Sequence, residues 1–449
     1  MEPDLSKTLP ADVRSLGERL AAAGHRAWLV GGCVRDAALG QSPRDWDLLT
    51  SAGKADLKQL FPRVLRVNER FLTLLVGAGP DSPLRQVSLL EGRTLEADLA
   101  RRDFTVNAMA VPLPAAKGLV DPFGGLADLN TRRLRAVLDA GARFQEDPLR
   151  PLRAVRFEVE LSLAPDPATL AAMKRHGPAV GAAAAERIRE EILRILAAPV
   201  PSRAIERMRE TGMLGVLLPE VAAMPGVTQN RYHQLDVYDH SLAALDFMAE
   251  DASADPVLRL AALLHDAGKP VTRTLRKGEP SFIGHEKIGA RMAEERARAL
   301  RLPEADGTRL RDLVRHHLVR YTRRWSDRAV RRFVRRVGAL LLDDLLRLYA
   351  ADARAKDPPA LRGVPVPPEV AALRERIEAL GAEGMAVRVR DLAITGEDVM
   401  RALGIAPGPE VGRVLEALIE RVIADPSLNS RERLLEELRG MRERREAKT

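Results

Sequence analysis

The length, composition and charge of the chain limit what it can be. At 449 residues and 46% hydrophobic content, it exceeds one ordinary core and is not mainly disordered. The 71 Lys and Arg residues outnumber the 63 Asp and Glu residues, and the arginines cluster, which favours a polyanionic partner over the alternative of genomic base bias. A single cysteine, Cys33, excludes an intrachain disulfide, and no apolar run approaches the roughly 18 residues of a membrane span. No signal peptide is recognisable, so we expect a cytoplasmic protein.

The pattern of apolar residues predicts a small α/β module followed by helices. Residues 10–24 have helical spacing and end on Gly24, which predicts an opening helix. The runs AWLVGG, WDLLT and RQVSLL predict strands, and GLVDPFGGLADL predicts a strand that enters a glycine-rich turn. From Arg143 to about Leu380 the periodicity is helical almost throughout. The proline-rich segment Asp357–Pro368 is predicted to link a central helical domain to a helical tail.

The stretch LVGGCVRDAALGQSPRDWDLL combines a glycine pair, Gly31 and Gly32, with Arg35 and two aspartates, Asp45 and Asp47. Residues i and i+2 of a strand point to the same face, so the two carboxylates are predicted to share a metal site. Mg²⁺ binds through one or two carboxylates together with substrate phosphates. Glycines let backbone N–H groups approach a phosphate, and the arginine adds a charged donor. A lone D-x-D is more often a solvated turn, but the whole combination indicates phosphoryl transfer.

This stretch and four later segments resemble one known family. It is similar to the G-G-x-V-R-D plus D-x-D signature of class II tRNA nucleotidyltransferases, template-independent relatives of the polymerase beta superfamily. RRDFTVNAMA resembles the R-R-D-x-x-x-N-A element of that family, and EDPLRPLRAVRF resembles its E-D-x-x-R-x-x-R-x-x-R-F element. AAERIREEI and LAITGEDVMRALGIAPGPEVGRVLEALIERV are similar to its later helical elements. The matches follow the family order across most of the chain.

The segment EDPLRPLRAVRF has charges at Asp147, Arg150, Arg153 and Arg156, every three residues, which on a helix form one drifting stripe. Such a stripe alone is as often an exposed, salt-bridged face. The resemblance implies instead that Asp147 and Arg150 present hydrogen-bonding edges to the incoming base, so that the protein selects the nucleotide without a template. By the same resemblance, the other two arginines support that edge or reach phosphates.

The resemblance also assigns roles to RRDFTVNAMA and to the D-x-D aspartates. Arg102 is expected to meet the triphosphate, and Asp103 and Asn107 to hold the ribose or order the loop. For Asn107 a helix N-terminal hydrogen bond is the alternative. Two Mg²⁺ ions held by the D-x-D pair are expected to activate the tRNA 3′-hydroxyl and stabilise charge at the α-phosphorus. A third carboxylate often lies on a neighbouring strand in this superfamily, but Gln86 stands there, so we assign two ligands.

Five of the eight histidines fall in the middle of the chain. A lone histidine on an apolar helix is usually a packed core residue. The pair His265 and Asp266, with His240 upstream and Asp352 downstream, resembles the ligand set of the HD superfamily of metal-dependent phosphohydrolases. Mn, Ni, Fe, Zn and Mg all suit such ligands, and the module is either an accessory phosphohydrolase or a remnant that supports tRNA. Candidates for a second metal position are His285, His316 and His317.

The resemblance implies an α+β protein. Its polymerase-beta-like head, with a mixed sheet and helices, precedes an all-helical neck, an HD body and a tail. The predicted domains are a nucleotidyltransferase head (1–130), a neck with the base-selecting element (131–228), an HD domain (229–357) and a tRNA-binding tail (358–449). Gly404, Gly408 and Gly412 of the tail lie beside a helix start and are candidates for RNA phosphate contacts, with an ordinary helical corner as the alternative.

The implied function is addition of nucleotides from CTP, and from ATP in some members, to the 3′ end of tRNA, whose acceptor stem and top half are bound by shape and charge. Members that build the whole C-C-A end resemble one another in a flexible loop before the R-R-D element. Only 11 residues, Val87–Ala97, separate Gln86 from Asp98 here. This predicts a CC-adding enzyme that needs a companion A-adding enzyme. The alternatives are a full CCA-adding enzyme in which GPDSPLR replaces the loop, an A-adding enzyme, a poly(A) polymerase, an HD phosphohydrolase with a decayed head, and a non-catalytic RNA-binding protein.

Overall fold

The computed structural model describes residues 4–68, 73–90, 93–229, 234–356, 363–364, 366–382 and 384–446. The chain divides into two compact units, Met1–Pro219 and Glu220–Thr449. The finer division into head, neck, HD domain and tail stays a prediction. Among the described helices, none has both the length and the apolar character that a membrane crossing requires.

The first unit contains a six-stranded mixed sheet, which confirms the predicted α+β head. Its strands are β1 (Ala27–Val30), β2 (Leu48–Thr50), β3 (Arg63–Asn68), β4 (Thr73–Gly77), β5 (Leu84–Leu89) and β6 (Ala110–Leu113). They lie in the order β3-β4-β5-β2-β1-β6, and only the central pair β2–β5 is parallel. Strands β1, β2 and β5 are the three short apolar runs of the sequence, whereas β3, β4 and β6 were not predicted.

Helices form most of the rest of the first unit. They are α1 (Ala11–Ala22), α2 (Gly32–Ala38), α3 (Lys54–Leu60), α4 (Leu95–Leu99), α5 (Gly125–Asn130), α6 (Ala140–Glu146), α7 (Arg150–Glu160), α8 (Pro167–His176), α9 (Ala185–Leu196), α10 (Ser202–Glu210) and α11 (Leu214–Leu217), with α12 (Pro219–Ala222) at the boundary. The predicted opening helix is α1, and Gly24 follows it with φ +81°. That left-handed conformation favours glycine and ends the helix.

The segment GLVDPFGGLADL does not form the predicted strand. Only Val120 makes an isolated bridge, to Ala110, and the chain then turns into α5. The Asp121 carboxylate accepts hydrogen bonds from the N–H groups of Gly125 and Leu126, at 2.7 and 2.9 Å. These bonds satisfy donors at the helix start, so the local polar chemistry favours a helix over a strand here.

The helical region predicted from Arg143 to about Leu380 is confirmed, apart from one short strand, which pairs with a strand before the region, and one hairpin. Strands β7 (Arg133–Leu134) and β8 (Ala164–Pro165) pair in parallel, and β9 (Thr274–Arg276) and β10 (Glu279–Ser281) form a hairpin. The hairpin turns at Lys277 and Gly278, which have φ of +52° and +79°. Two successive residues with positive φ make the kind of tight turn that joins antiparallel strands, and helical periodicity does not reveal it.

Helices make up most of the second unit. They are α13 (Val237–Ala249), α14 (Pro256–Leu264), α15 (Lys269–Thr272), α16 (His285–Ala299), α17 (Glu304–His316), α18 (Asp327–Val337), α19 (Ala339–Lys356), α20 (Pro368–Ala382), α21 (Gly396–Leu403), α22 (Pro409–Ala424) and α23 (Arg431–Glu446). The predicted linker Asp357–Pro368 lies mostly outside the described residues. Gly404 caps α21 with φ +64° and Gly408 precedes α22, so the predicted helical corner is present and its contact with RNA stays a prediction.

Candidate active site

A cavity of about 410 Å³ in the first unit collects the predicted head and neck residues. It lies among the β1–α2 turn, the segment before β2, the RRDF segment and helices α7 and α9. All twelve residues predicted for catalysis and nucleotide binding line it: Gly31, Gly32, Arg35, Asp45, Asp47, Arg102, Asp103, Asn107, Asp147, Arg150, Arg153 and Arg156.

The two aspartates of the D-x-D reach the cavity in a different way from that predicted. Strand β2 begins at Leu48, so Asp45 and Asp47 precede it, and the argument from alternation along a strand was wrong. The Asp47 carbonyl accepts a hydrogen bond from the N–H of Val30 at 3.0 Å, which fixes this segment beside β1. Burial raises the pKa of Asp47, Arg102 lowers it and the Asp45 carboxylate raises it, with a net upward shift. Two carboxylates that disfavour each other's charge suit a cation site.

The glycine turn between β1 and α2 has a steric cause. Gly31 has φ +75°, and a Cβ there would lie 2.8 Å from Nη1 of Arg102. A side chain at this position is therefore strained and also blocks the arginine. The Nε atom of Arg102 is buried and has no hydrogen-bond partner among the described residues. The Arg102 side chain as a whole is 24% exposed and lines the cavity beside this turn, so it offers an entering anion a positive charge.

A buried chain of hydrogen bonds crosses the floor of the cavity. Nη1 of Arg35 donates to Oδ1 of Asn107 at 2.7 Å, and Nδ2 of Asn107 donates to Oδ1 of Asp103 at 3.1 Å. Nε of Arg153 donates to Oδ2 of Asp103 at 2.8 Å. Burial alone raises the pKa of Asp103, but Arg153, Asn107 and the N–H of Phe104 outweigh it and lower that pKa to about 2. Asn107 therefore bridges two charged side chains instead of capping a helix.

The base-selecting segment is not one continuous helix. Helix α6 ends at Glu146 and α7 begins at Arg150, so the predicted stripe of charge is broken at Asp147, which is extended. Nη2 of Arg187 lies 2.7 Å from Oδ2 of Asp147. Arg150 donates from Nη1 to the carbonyl of Arg143 and from Nη2 to the carbonyl of Arg101, each at 2.9 Å. Both predicted base-reading side chains are therefore engaged by the protein itself.

Helix α9 supplies partners that the sequence reasoning did not assign. Nε of Arg156 donates to Oε2 of Glu191 at 2.5 Å, and Nη1 of Arg153 lies 3.6 Å from Oε1 of the same carboxylate. Arg187 stands one turn before Glu191 and holds Asp147. The i, i+4 spacing of Arg187 and Glu191 in AAERIREEI places them on one helix face, which was the available signal. Other unpredicted residues of the cavity wall are Cys33, Asp36, Arg44, Phe157 and Arg194.

The four predicted HD ligands meet in the second unit. Nε2 of His240 lies 3.2 Å from Nε2 of His265 and 3.1 Å from Oδ1 of Asp352. Nε2 of His265 lies 3.2 Å from Oδ2 of Asp266. All four residues are buried. Burial raises the pKa of Asp266, but Lys269 and His265 outweigh it and hold that pKa well below its usual range.

Two of the three candidates for a second metal position join this cluster. Nε2 of His285 and Nε2 of His317 lie 3.3 and 3.6 Å from Oδ1 of Asp266, which thus faces a second group of donors. His316 is half-buried and does not belong to either group of potential ligands among the described residues, so its inclusion was wrong. The next residue, His317, points toward the cluster because only one face of the end of α17 meets it.

The imidazoles of the cluster have a uniform orientation. The Nδ1 atoms of His240, His265, His285 and His317 lie 3.2, 2.7, 2.7 and 2.7 Å from backbone carbonyl oxygens. A carbonyl only accepts, so Nδ1 carries the proton and Nε2 presents its lone pair to the cluster. Backbone carbonyls that orient the imidazoles in this way are usual around protein metal sites, and the nitrogen and oxygen donors of the cluster suit a divalent metal. Beside the cluster is a cavity of about 690 Å³, in which Lys269 and Lys356 bind the carboxylates of Asp266 and Asp352.

Four family models match successive parts of the chain. The poly A polymerase head domain matches residues 27–84 and 80–135, and the HD domain matches residues 237–360. The model described as "Probable RNA and SrmB- binding site of polymerase A" matches residues 162–224, and that of tRNA nucleotidyltransferase domain 2 matches residues 308–438. The cavity residues of 31–107 lie within the head-domain match, and Arg187 and Arg194 lie within the match at 162–224, whereas cavity residues 147–157 lie between the two matches. The histidine cluster lies within the HD-domain match.

Curated relatives and solved structures resemble the chain over most of its length. It is 36% identical over 414 residues to the CC-adding tRNA nucleotidyltransferase of Thermus thermophilus, covering 88% of this chain and 89% of the relative. It is 39% identical over 334 residues to the A-adding tRNA nucleotidyltransferase of Deinococcus radiodurans, covering 73% and 75%. The Bacillus stearothermophilus CCA-adding enzyme in complex with CTP is similar in structure, with a TM-score of 0.69, 25% identity and complete coverage of both chains.

Proposed function

Because the chain belongs to the class II bacterial tRNA nucleotidyltransferases with an HD domain, we propose that it adds two C residues from CTP to the 3′ end of tRNA and then stops. Nucleotide addition to the tRNA 3′ end is the reaction of its curated relatives, which differ in where they stop. The proposal concerns that stopping point and the residues that carry the reaction.

The short connection before the RRDF segment supports the stop after C-C. Strand β5 ends at Leu89 and α4 begins at Leu95, so only residues 90–94 join them. A loop that reorients base-reading side chains between CTP and ATP needs more length than this. The terminal A then requires a companion A-adding enzyme.

The cavity residues divide the reaction between them. Asp45 and Asp47 hold divalent cations, which we propose to be Mg²⁺, and such ions supply Lewis acidity for activation of the 3′-hydroxyl and for charge at the α-phosphorus. Arg102 and the backbone of the glycine pair bind the triphosphate, because the partly exposed guanidinium lies directly beside the glycine turn. Arg35, Asn107 and the other members of the buried hydrogen-bond chain keep this wall in place.

Base selection rests on Asp147 and Arg150. A carboxylate only accepts hydrogen bonds, whereas a guanidinium only donates them, and together they match a base edge that carries one donor and adjacent acceptors. Cytosine presents such an edge through its N4 amino group. Arg153 and Arg156 act as positioning residues, since the carboxylates of Asp103 and Glu191 already engage them.

The stopping point can be measured directly. Purified protein is incubated with CTP, ATP and Mg²⁺ on one tRNA that ends at the discriminator base and on another that ends in C-C. We expect two C residues on the first tRNA and no A on the second. Efficient addition of A to the second tRNA contradicts the proposal and indicates a full CCA-adding enzyme, and addition of A without any C indicates an A-adding enzyme. Asp45→Ala should lower C addition on the order of 1000-fold, since it removes several kcal/mol of transition-state stabilisation.

The histidine cluster supports a second, accessory activity. Six buried ligand side chains, four of them imidazoles with a common orientation, suit a divalent metal, and the adjoining cavity of about 690 Å³ leaves room for a phosphate ester. We propose metal-dependent phosphohydrolysis at this cluster, with Mn²⁺, Ni²⁺ or Mg²⁺ as the metal. Stripped protein reloaded with Ni²⁺ or Mn²⁺ should hydrolyse 2′,3′-cAMP, and His265→Ala should abolish this. No hydrolysis by the reloaded protein refutes the accessory activity.

The proposed partner is the acceptor stem and top half of a cytoplasmic tRNA. The excess of basic residues favours a polyanion, and the helical tail supplies the corner that contains Gly404 and Gly408. Truncation after Asp357 should weaken tRNA binding and leave CTP binding unchanged. Equal tRNA affinity of the full-length and truncated chains contradicts a binding role for the tail.

A further inference from the structure

The carboxylate of Asp147 has a partner on helix α9. Nη1 and Nη2 of Arg187 lie 3.3 Å from its Oδ1 and 2.7 Å from its Oδ2. The N–H of Leu149 also donates to Oδ1, at 3.1 Å. Asp147 and Arg187 both line the cavity, so a fork of two donors occupies the acceptor edge that faces the substrate space.

Helix α9 fixes the base of Arg187 and leaves its end accessible. One turn further along, Glu191 is buried against Arg156, with the two side chains 7% and 2% exposed. This ion pair holds α9 against α7. The side chain of Arg187 is 43% exposed, so its guanidinium is able to move without disturbing the buried pair.

We propose that Arg187 is a specificity-determining positioning residue, which keeps Asp147 ionised with its oxygens facing the cavity and yields them to a base that carries an amino group. The inference rests on the proposed base-reading role of Asp147. In this view the guanidinium is a stand-in donor, and the incoming base exchanges with it. Arg187 itself does not touch the reacting atoms.

The chemistry of the four bases explains why the ionisation of Asp147 matters. Cytosine and adenine present amino donors at N4 and N6, whereas uracil and guanine present carbonyl acceptors at O4 and O6. An ionised carboxylate accepts from the first pair and repels the second. A protonated carboxyl also carries an O–H donor and can therefore bind uracil. Discrimination between CTP and UTP thus depends on keeping Asp147 ionised.

Arg187 contributes to that ionisation. Burial raises the pKa of Asp147, but the hydrogen bonds from Arg187 and Leu149 outweigh it, so the pKa lies below its usual value. Without Arg187 less opposes the effect of burial on the pKa of Asp147. Leu149 is then the remaining hydrogen-bond donor to this carboxylate among the described residues. The pKa then rises, and the protonated fraction grows as the pH falls.

The test compares Arg187→Gln with Arg187→Lys, which keeps the charge but not the two-pronged geometry. The readout is kcat/KM for CTP and for UTP on tRNA that ends at the discriminator base, from pH 5.5 to 8. In Arg187→Gln we expect the CTP-to-UTP ratio to fall little at pH 7 and about tenfold at pH 5.5, because the protonated fraction of Asp147 grows as the pH falls. The lysine variant should be intermediate. The control is Arg209→Gln, which removes an exposed arginine paired with Glu206 on α10, outside the cavity, and should leave the ratio unchanged.

A purely structural role of Arg187 predicts a different result. If Arg187→Gln slows CTP and UTP addition equally, with an unchanged ratio at every pH, the inference is overturned. Asp147→Asn separates this failure from failure of the base-reading role. A wild-type CTP-to-UTP ratio in Asp147→Asn refutes base reading by Asp147. If Asp147→Asn no longer discriminates CTP from UTP but Arg187→Gln keeps the wild-type ratio, only the role of Arg187 is refuted. Neither result depends on whether the wild-type protein stops after C-C.

Discussion

Replacement of Asp103 by asparagine tests the buried chain of hydrogen bonds under the cavity. Asp103 is 7% exposed and accepts hydrogen bonds from Arg153, Asn107 and the N–H of Phe104. Its pKa is about 2 in the folded protein, against an ordinary 3.8. Because each pKa unit corresponds to about 1.4 kcal/mol, ionised Asp103 stabilises the fold by about 2 kcal/mol at neutral pH.

The sign of the pH dependence follows from the lowered pKa. The stabilisation is complete above the ordinary pKa of 3.8 and is lost as the pH falls through about 2. Asp103→Asn should therefore lower the free energy of unfolding by about 2 kcal/mol from pH 8 to 5, and the difference should narrow only below about pH 4. The loss of unfolding free energy should stay below the roughly 3–5 kcal/mol that leaving a buried charge without any partner costs. Arg153 still has a partner in this variant, because Glu191 lies 3.6 Å from it.

Urea unfolding followed by tryptophan fluorescence measures this difference. Trp28 and Trp46 lie in the first unit and Trp325 in the second, so a Trp325→Phe background makes the signal specific for the first unit. Asp81→Asn, at an exposed position of the same unit, is the matched control and should change little. Equal stability of Asp103→Asn and wild type at pH 7 refutes the reasoning, as does a difference that varies between pH 8 and 5.

Two glycine substitutions test how close backbone approach positions each site. In Gly125→Ala the new Cβ lies 2.2 Å from a backbone carbonyl oxygen of the turn behind the cavity. We therefore expect a stability loss of about 1–3 kcal/mol and a fall in CTP addition on the order of 100-fold. The control is Gly215→Ala, whose Cβ has no neighbour within 4 Å and which should keep wild-type stability and CTP addition. In Gly268→Ala the Cβ lies 2.1 Å from the carbonyl oxygen of His285, so calorimetry should find Ni²⁺ or Mn²⁺ bound at least about tenfold more weakly. Gly381→Ala, on the surface of α20, is the control, and unchanged metal affinity in Gly268→Ala contradicts the packing argument.

The membership of the cavity was predictable from the sequence, but its geometry was not. The motifs identified which residues belong together, and all twelve line one cavity. The reason given for Asp45 and Asp47 was nevertheless wrong, because the strand begins after them. A turn beside a strand end brings two carboxylates together as well as a strand face does. Residue spacing therefore predicted which residues come together without fixing the backbone.

One missed strand and two missed side-chain roles have physical causes that the folded structure reveals. Strand β3 is at the sheet edge and contains two arginines, so it lacks the continuous apolar run that marked β1 and β2. The roles of Arg187 and Glu191 arise from contacts of α9 with α7 and with Asp147 just before α7, about 35 to 40 residues away in the chain. Periodicity within one helix reports a charged face but not the partner of that face. Such partners become readable only from the folded structure.

The partners of the cavity arginines decide which of them remain available to a nucleotide. Arg153 and Arg156 are bound to buried carboxylates, and to give these up for a phosphate they must leave Asp103 or Glu191 as an unpaired buried charge. That exchange is costly, so we infer that both act on the nucleotide through the residues they hold. Arg102 differs, because its partner Asp98, 3.5 Å away, is 24% exposed like Arg102 itself, so that carboxylate stays solvated when the arginine turns to a phosphate. A motif that contains several arginines thus contains two kinds of function, and the burial of the carboxylate partner distinguishes them.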